Sequence, residues 1–350
     1  FKRTAVIGLL VVITQITLGG WTTSNYAAVA CPDLPTCQAQ WLPPMDFGSG
    51  FNLFQAVGPN YLGGTMDNEA RVAIHMSHRV GGVITLLAVR FPQPKQSEAG
   101  AASKGSLLGE AWFGWTYIRK RPALLALLAY FSSVNLVFGF VGVLIFPLIL
   151  GFADEVALGN AFTIAALGMV AGSVLMSAWG GPKKRIYGVL GADLALGAAL
   201  ILWGMRPSLV LIVLGGLVAF FVVPVANGSS QAIWQAKVEP DVQGRVFAAR
   251  RVLAQIAGPV ALVMAGPLAD NVFEPLLQPG GALAGSVGSI IGVGPGRGIA
   301  LLFIILGGLS IMFTIIAYLY PRLRNLEDEI PDHDQIPDRG QIPDHHEAPY

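Results

Sequence analysis

Two histidines, His75 and His78, sit three residues apart in an apolar run that reads EARVAIHMSHRVGG. Ionisable residues inside a membrane-length apolar segment are expensive and mark a function by default. On a helix, a spacing of three puts both imidazoles on one face. The pair therefore cannot grip a flat macrocycle from its two sides. One of them could be an axial ligand to a metal in such a ring, the second ligand coming from another helix. The other histidines, His333, His345 and His346, fall in the C-terminal tail. Upstream, Cys31 and Cys37 are the only cysteines, separated by PDLPT. Spacing this close suits a disulfide staple or a redox pair and leaves both open. No residue set has the spacing of a dedicated metal-ion site.

A second group of polar residues is scattered through later apolar runs: Ser132, Ser133, Asn135, Asp193, Asn227, Ser229 and Gln231. Apolar solutes are held by mostly apolar cavities with a few polar anchors. Asn135, Asp193, Asn227 and Gln231 are accordingly candidates for solute contact, although Asp193, close to a span end, also reads as a solvated residue. Basic residues gather in WGGPKKRIYG (Lys183, Lys184, Arg185) and EPDVQGRVFAARR (Arg245, Arg250, Arg251). They read as positive-inside anchors or as gating elements.

The elements that position these residues follow from composition. The 350-residue chain is 53% hydrophobic and 12% charged, with a mean hydropathy of +0.60. Soluble domains carry about 25% charged residues, so the chain is expected to be an all-α polytopic membrane protein. Its spans are predicted at Thr4–Gly20, Val72–Val89, Ala123–Phe146, Ala157–Ala178, Ile186–Met205, Ser208–Ser229, Val252–Leu268 and Gly298–Tyr320, about eight helices of membrane length. The first reads as a span rather than a cleaved signal. With both termini cytoplasmic, all but Arg71, Arg79, Arg206 and Arg297 of the 22 Lys and Arg fall inside, as the positive-inside rule asks. The Cys31–Cys37 loop is then outside. Between Arg90 and Pro122 runs a long polar linker. Its Trp112, Trp115 and Tyr117 lead into Arg119-Lys-Arg121 and read as an interfacial segment, not as a nucleic-acid site. The glycine-rich stretch from Ala269 to Arg297 follows no strand, so its alternating glycines are no nucleotide loop. The tail repeats Ile-Pro-Asp at Ile330, Ile336 and Ile342 and is expected to be disordered.

Residues 3–85, through LGGWTTSNYAAVACPDLPTCQAQWLPPMDF, GFNLFQAVGPNYLGG and ARVAIHMSHRVG, resemble the first two spans of a proteobacterial-type haem A synthase. That resemblance implies oxidation of the haem O methyl to the formyl of haem A, haem b as cofactor, and His78 as a haem ligand with His75 as a second candidate. It also implies that Cys31 and Cys37 are the family's exposed pair. Where many members carry a glutamate, three residues before the ligand, this chain has His75, so no catalytic carboxylate carries over. The family's other ligand-bearing spans have no counterpart here.

From about residue 86 the resemblance changes. LLAVRFPQPKQSEAG, GEAWFGWTYIRKRPALLALL, EPDVQGRVFAARR and YLYPRLRNLEDEIPD are similar to the C-terminal half of a major facilitator superfamily exporter of the macrolide or siderophore type. This implies proton-coupled efflux of small amphipathic molecules, with no cofactor in that part. Alternating access needs two halves rocking about a central site, so a missing half or a second copy is the implied partner, beside the lipid bilayer. Four regions result: a synthase-like part at 1–85, a linker at 86–122, a six-span half-transporter at 123–325 and a tail at 326–350. The expected location is a bacterial inner membrane. The rival to efflux is a haem A synthase-like enzyme or haem-binding protein, and the third reading is a fusion with neither activity complete.

Overall fold

The computed structural model describes residues 2–54, 66–88, 97, 99–100 and 106–335. Arg90, Lys95, Lys104, Arg339, His345, His346 and the repeats at Ile336 and Ile342 lie outside the described residues. The chain divides into two compact units, Phe1–Gln93 and Pro94–Tyr350. Both are helical. Among the described residues the only sheet-like feature is an isolated bridge between Cys37 and Gln40.

In the first unit α1 (Lys2–Ser24) packs against α3 (Asn68–Ala88), and the short α2 (Phe47–Gly50) lies on α3. Where α1 and α3 meet, the Gln15 side chain lies over Gly81: a Cβ there would stand 2.3 Å from Gln15 Oε1. Small residues let helices meet in this way where water does not drive them together. α3 runs unbroken through Gly81–Leu87, the stretch in which the two resemblances meet.

The second unit begins with α4 (Leu107–Arg119) and continues with α5 (Pro122–Leu150), α6 (Glu155–Trp179), α7 (Arg185–Met205) and α8 (Leu209–Lys237). Among the described residues, α9 (Gln243–Gln255), α10 (Gly258–Leu268), α11 (Glu274–Leu277), α12 (Val287–Ile291), α13 (Arg297–Leu319), α14 (Pro321–Arg324) and α15 (Leu326–Glu329) follow. Local chemistry explains the ends. Asp154 caps α6 by accepting the Ala157 N–H at 2.8 Å, and Gly180, at φ 79°, stops it. The expected span Val252–Leu268 is broken at Ile256–Ala257, because Pro259 fits only the first turn of a new helix.

α7 packs on both α8 and α13, and α6 on α8. Trp203 of α7 anchors one core, its Nε1–H donating to the Ile212 carbonyl at 2.9 Å and its ring 5.9 Å from Phe303. A second core surrounds Trp234, Ile118 and Leu326, all fully buried. The glycine-rich stretch before α13 is packed as well. Glu274 accepts the N–H groups of Gly296 (3.1 Å) and Ile299 (2.9 Å), closing the start of α13.

Among the described residues, seven helical segments are long and apolar enough to cross a membrane: Val6–Ser24, α5, α6, α7, α8, the run Gln243–Leu277, and α13. The chain is an all-α polytopic membrane protein. α3, the expected eighth span, is not among the seven; Glu69, Arg71, His75, His78 and Arg79 dilute its apolar character.

Two further expectations need correction. Tyr117 does not sit at a lipid headgroup: it is buried, and its hydroxyl donates to Glu239. Burial, reinforced by that hydrogen bond, pushes its phenol well above the usual range. The first ten residues of the tail, 326–335, are not a disordered segment. α15 puts Leu326 into the second core, and Glu327, Asp328 and Asp332 all bond to helices of the unit.

Candidate functional site

In the first unit the two histidines do different things. His75 uses both ring nitrogens: Nδ1–H donates to the Ala27 carbonyl at 3.0 Å, and Nε2 accepts Arg79 Nε–H at 3.1 Å. Arg79 in turn donates to the Thr36 carbonyl (2.7 Å) and the Cys31 carbonyl (2.9 Å). Cys31 and Cys37 form a disulfide. His75 and Arg79 together pin the disulfide loop to α3. This leaves His75 no nitrogen for a metal.

His78 differs. Its Nδ1 lies 2.9 Å from Gln15 Nε2, which also donates to the His78 carbonyl at 2.9 Å. Gly19 makes room for the ring, since a Cβ there would stand 3.1 Å from His78 Cε1. With Nδ1 accepting, the imidazole proton sits on Nε2. Ligation through Nε2 needs the opposite tautomer, with Nδ1–H donating to an oxygen. Gln15 Oε1, buried and without a partner, is the oxygen that a turned amide would present. Beside this pair, α1 and α3 enclose an apolar cavity of about 620 Å³, lined by Leu18, Met45, Met76 and Val80, with Gln15 on its wall.

The second unit brings together residues that sequence separates widely. Asn135 from α5, Asp193 from α7, Asn227 and Gln231 from α8, and Arg250 and Arg251 from α9 all line one cavity of about 510 Å³. Asn135 Nδ2 donates to the Ala254 carbonyl at 3.0 Å, near the break that ends α9. Arg250 is held by Gln231 Oε1 (3.0 Å) and Ser230 Oγ (2.9 Å), with its guanidinium 4.9 Å from the Trp234 ring centre. Arg251 is exposed. Asp193 is buried, not solvated. Its Oδ2 lies 2.7 Å from the Tyr130 hydroxyl, which lies 2.9 Å from Thr314 Oγ1, itself 2.8 Å from the Ser310 carbonyl. A polar wall of fixed amides and one tethered guanidinium, facing Phe131, Phe138 and Val222, suits a solute with an apolar body and a few polar groups.

The remaining basic candidates lie elsewhere in the unit. Arg245 pairs with Glu110 of α4 at 3.3 Å. Lys184 pairs with Asp328 at 2.7 Å, and the Asp328 carboxylate holds its ammonium charged above the usual lysine range. Arg185 Nη1 donates to the Ala232 carbonyl at 3.4 Å, and Lys183 is exposed. Arg250 and Arg251 thus join the cavity, and the other four do not.

Sequence reasoning assigned no site role to Gln15, Arg79, Tyr130 or Thr314. Arg79 had a signal, standing four residues after His75 on the same helix face. Tyr130 and Thr314 had none, being an ordinary tyrosine and threonine in apolar runs.

Residues 1–105 match the COX15-CtaA family, described as cytochrome oxidase assembly protein. Heme A synthase of Shewanella oneidensis is 46% identical over 92 residues, covering 25% of this chain and 28% of that protein. Macrolide efflux protein A of Streptococcus pyogenes is 26% identical over 215 residues, 58% of this chain and 51% of that protein. Macrolide efflux protein A of Enterococcus faecalis is 27% identical over 199 residues, 55% and 61% respectively. The chain spans between 28% and 61% of the length of these curated relatives.

Proposed function

We propose that the second unit is one half of an efflux-type transporter for small amphipathic molecules, driven by a proton gradient and working with a second half. That half comes from another chain or a second copy. The convergence of Asn135, Asp193, Asn227, Gln231 and Arg250 on one cavity carries this reading. Similarity to the two macrolide efflux proteins supports it. In this reading the bilayer is a bacterial inner membrane, with both termini cytoplasmic and the Cys31–Cys37 loop outside. The test is macrolide accumulation in a pump-deficient host expressing the full chain, alone and with a separately encoded N-terminal exporter half. Accumulation should fall with the second half present and recover in Asn227→Ala. Unchanged accumulation in both settings would sink the efflux reading.

A second reading, haem binding by the first unit, is favoured by His78, whose ring is oriented by Gln15. The fit to haem is partial. His78 would offer one ligand, His75 is occupied, and the described residues of this unit bring no second imidazole to it. A haem held here would supply redox chemistry, and His78 would orient it; no catalytic step is derived from half a ligand set. An absorbance spectrum of the purified chain tests this, with a Soret band expected to be lost in His78→Ala. If neither test succeeds, the third reading stands: a fusion of two incomplete parts.

A further inference from the structure

The hydrogen-bond series that starts at Asp193, in the lining of the second unit's cavity, has more contacts than its hydroxyls have protons. Three contacts run in series across three spans: Asp193 Oδ2 to the Tyr130 hydroxyl at 2.7 Å, Tyr130 to Thr314 Oγ1 at 2.9 Å, and Thr314 Oγ1 to the Ser310 carbonyl at 2.8 Å. All are within hydrogen-bond distance, and each needs one proton between its heavy atoms. Tyr130 and Thr314 bring one each, and the Ser310 carbonyl brings none. Two protons give only two of these contacts a hydrogen bond of their own; the third would have to share one. A protonated Asp193 provides a third proton, and the series then runs in one direction: Asp193 O–H to Tyr130, Tyr130 O–H to Thr314, Thr314 O–H to the Ser310 carbonyl.

We propose that Asp193 is the proton-carrying site of the second unit, and that the Tyr130–Thr314 hydroxyl pair reads its protonation and passes it to α5 and α13. Its role in coupling rests on the efflux reading above; the protonation itself rests only on the geometry. When Asp193 releases its proton to the cavity, Tyr130 turns to donate to the carboxylate. Thr314 must then choose between Tyr130 and the Ser310 carbonyl, so one link is lost. Either the α5–α13 contact opens or the Thr314 bond to its own helix does. The proton is conserved: it leaves as a cavity proton and returns by the same route, since Asp193 lines the cavity.

The surroundings fit this role. Asp193, Ser310 and Thr314 are all buried, so water does not make up the missing bond freely. Facing Asp193, α5 brings Tyr130 as its titratable group, and α9 brings Arg250 and Arg251 to the shared cavity. Among the described residues, α8 lines that cavity with uncharged side chains, and α13 contributes only hydroxyls to the series. Arg250 is already held by Gln231 and Ser230 and stacked near Trp234.

Infrared spectra of the full-length chain in lipid vesicles near neutral pH test the proposal. A carboxylic-acid C=O band is expected in the wild type and should be absent in Asp193→Asn. That variant should keep the fold, because the side-chain amide it introduces can donate an N–H to Tyr130 in the same direction. Tyr130→Phe and Thr314→Val should each move the band, the first by removing its acceptor and the second by ending the series early. Identical acid-band regions in the wild type and Asp193→Asn would overturn the proposal, as would a band that neither Tyr130→Phe nor Thr314→Val moves. The band is read without any transport cycle, so its presence or absence is independent of whether efflux is found.

Discussion

Lys237, in the last turn of α8, holds its ammonium 2.7 Å from the Asp332 carboxylate, with its own side chain only 4% exposed. The same nitrogen donates to the Glu327 carbonyl at 2.9 Å and to the Ile330 carbonyl. A buried cation is tolerated only when it is paired and hydrogen-bonded, so the segment 326–332 and the end of α8 depend on one another. Ending the chain after Asn325 should destabilise the second unit by about 3–5 kcal/mol, the range for a buried ion pair broken by removing one partner. Adding Lys237→Met to the truncated chain should restore much of the loss. Thermal unfolding in detergent, followed by helical circular dichroism, checks both, and an unchanged midpoint on truncation would refute the dependence.

The Arg79–His75 clamp makes a separate prediction. Arg79→Ala removes both guanidinium bonds to the disulfide loop and leaves His75 Nε2 unpartnered. Amide exchange across residues 31–40 should accelerate about tenfold or more, corresponding to about 1.4 kcal/mol of lost local stability. Arg79→Lys should recover little, because a single ammonium cannot span two carbonyls and an imidazole. Protection unchanged in Arg79→Ala would show that the disulfide alone orders the loop.

Acid should act on the same loop through Asp33. The Thr36 hydroxyl and the N–H groups of Ala39 and Gln38 hold its carboxyl below the ordinary value of 3.8. A folded-state value depressed below the unfolded one stabilises fully above the unfolded value and fades as pH falls through the folded one. Protection of the Gln38 and Ala39 amides, corrected for intrinsic exchange, should therefore persist through pH 3.8 and drop only below it. In Asp33→Asn that pH dependence should vanish. A drop centred above 3.8 would contradict the assignment.

Packing of α6 on α8 turns on two glycines one turn apart. A Cβ at Gly168 would lie 2.4 Å from the Leu217 carbonyl oxygen, and one at Gly172 would lie 2.1 Å from that of Phe221. Backbone cannot yield as a side-chain tip does. Gly172→Val should push the helices apart and destabilise the unit by about 1–3 kcal/mol. Gly159→Ala, where nothing stands within 4 Å, is the control and should be neutral or slightly stabilising. Equal unfolding midpoints for Gly172→Val and the wild type would dismiss the close-packing argument.

Much of this protein is legible in the sequence alone. Apolar runs near Ala123, Ala157, Ile186, Ser208 and Gly298 read directly as spans, because a helix in lipid must be long, apolar and internally bonded. The polar anchors Asn135, Asp193, Asn227 and Gln231 stood out because polarity inside such runs is costly. What the chain order does not encode is convergence. Arg250 and Arg251 read as basic loop residues, yet α9 carries them into the cavity wall, while Lys184 and Arg245, read the same way, tie down α15 and α4.

His75 and His78 mark the same boundary. One face of one helix holds both, and spacing made them equivalent candidates for a ligand. Only the fold separates them, giving His75 two hydrogen-bond partners and His78 one. Hydrogen-bond saturation depends on what other elements bring near a side chain, and so does the proton count at Asp193. Type, polarity and periodicity are local and can be read along a sequence. Partners brought from 63 and 184 residues away, as Tyr130 meets Asp193 and Thr314, exist only once the helices have packed.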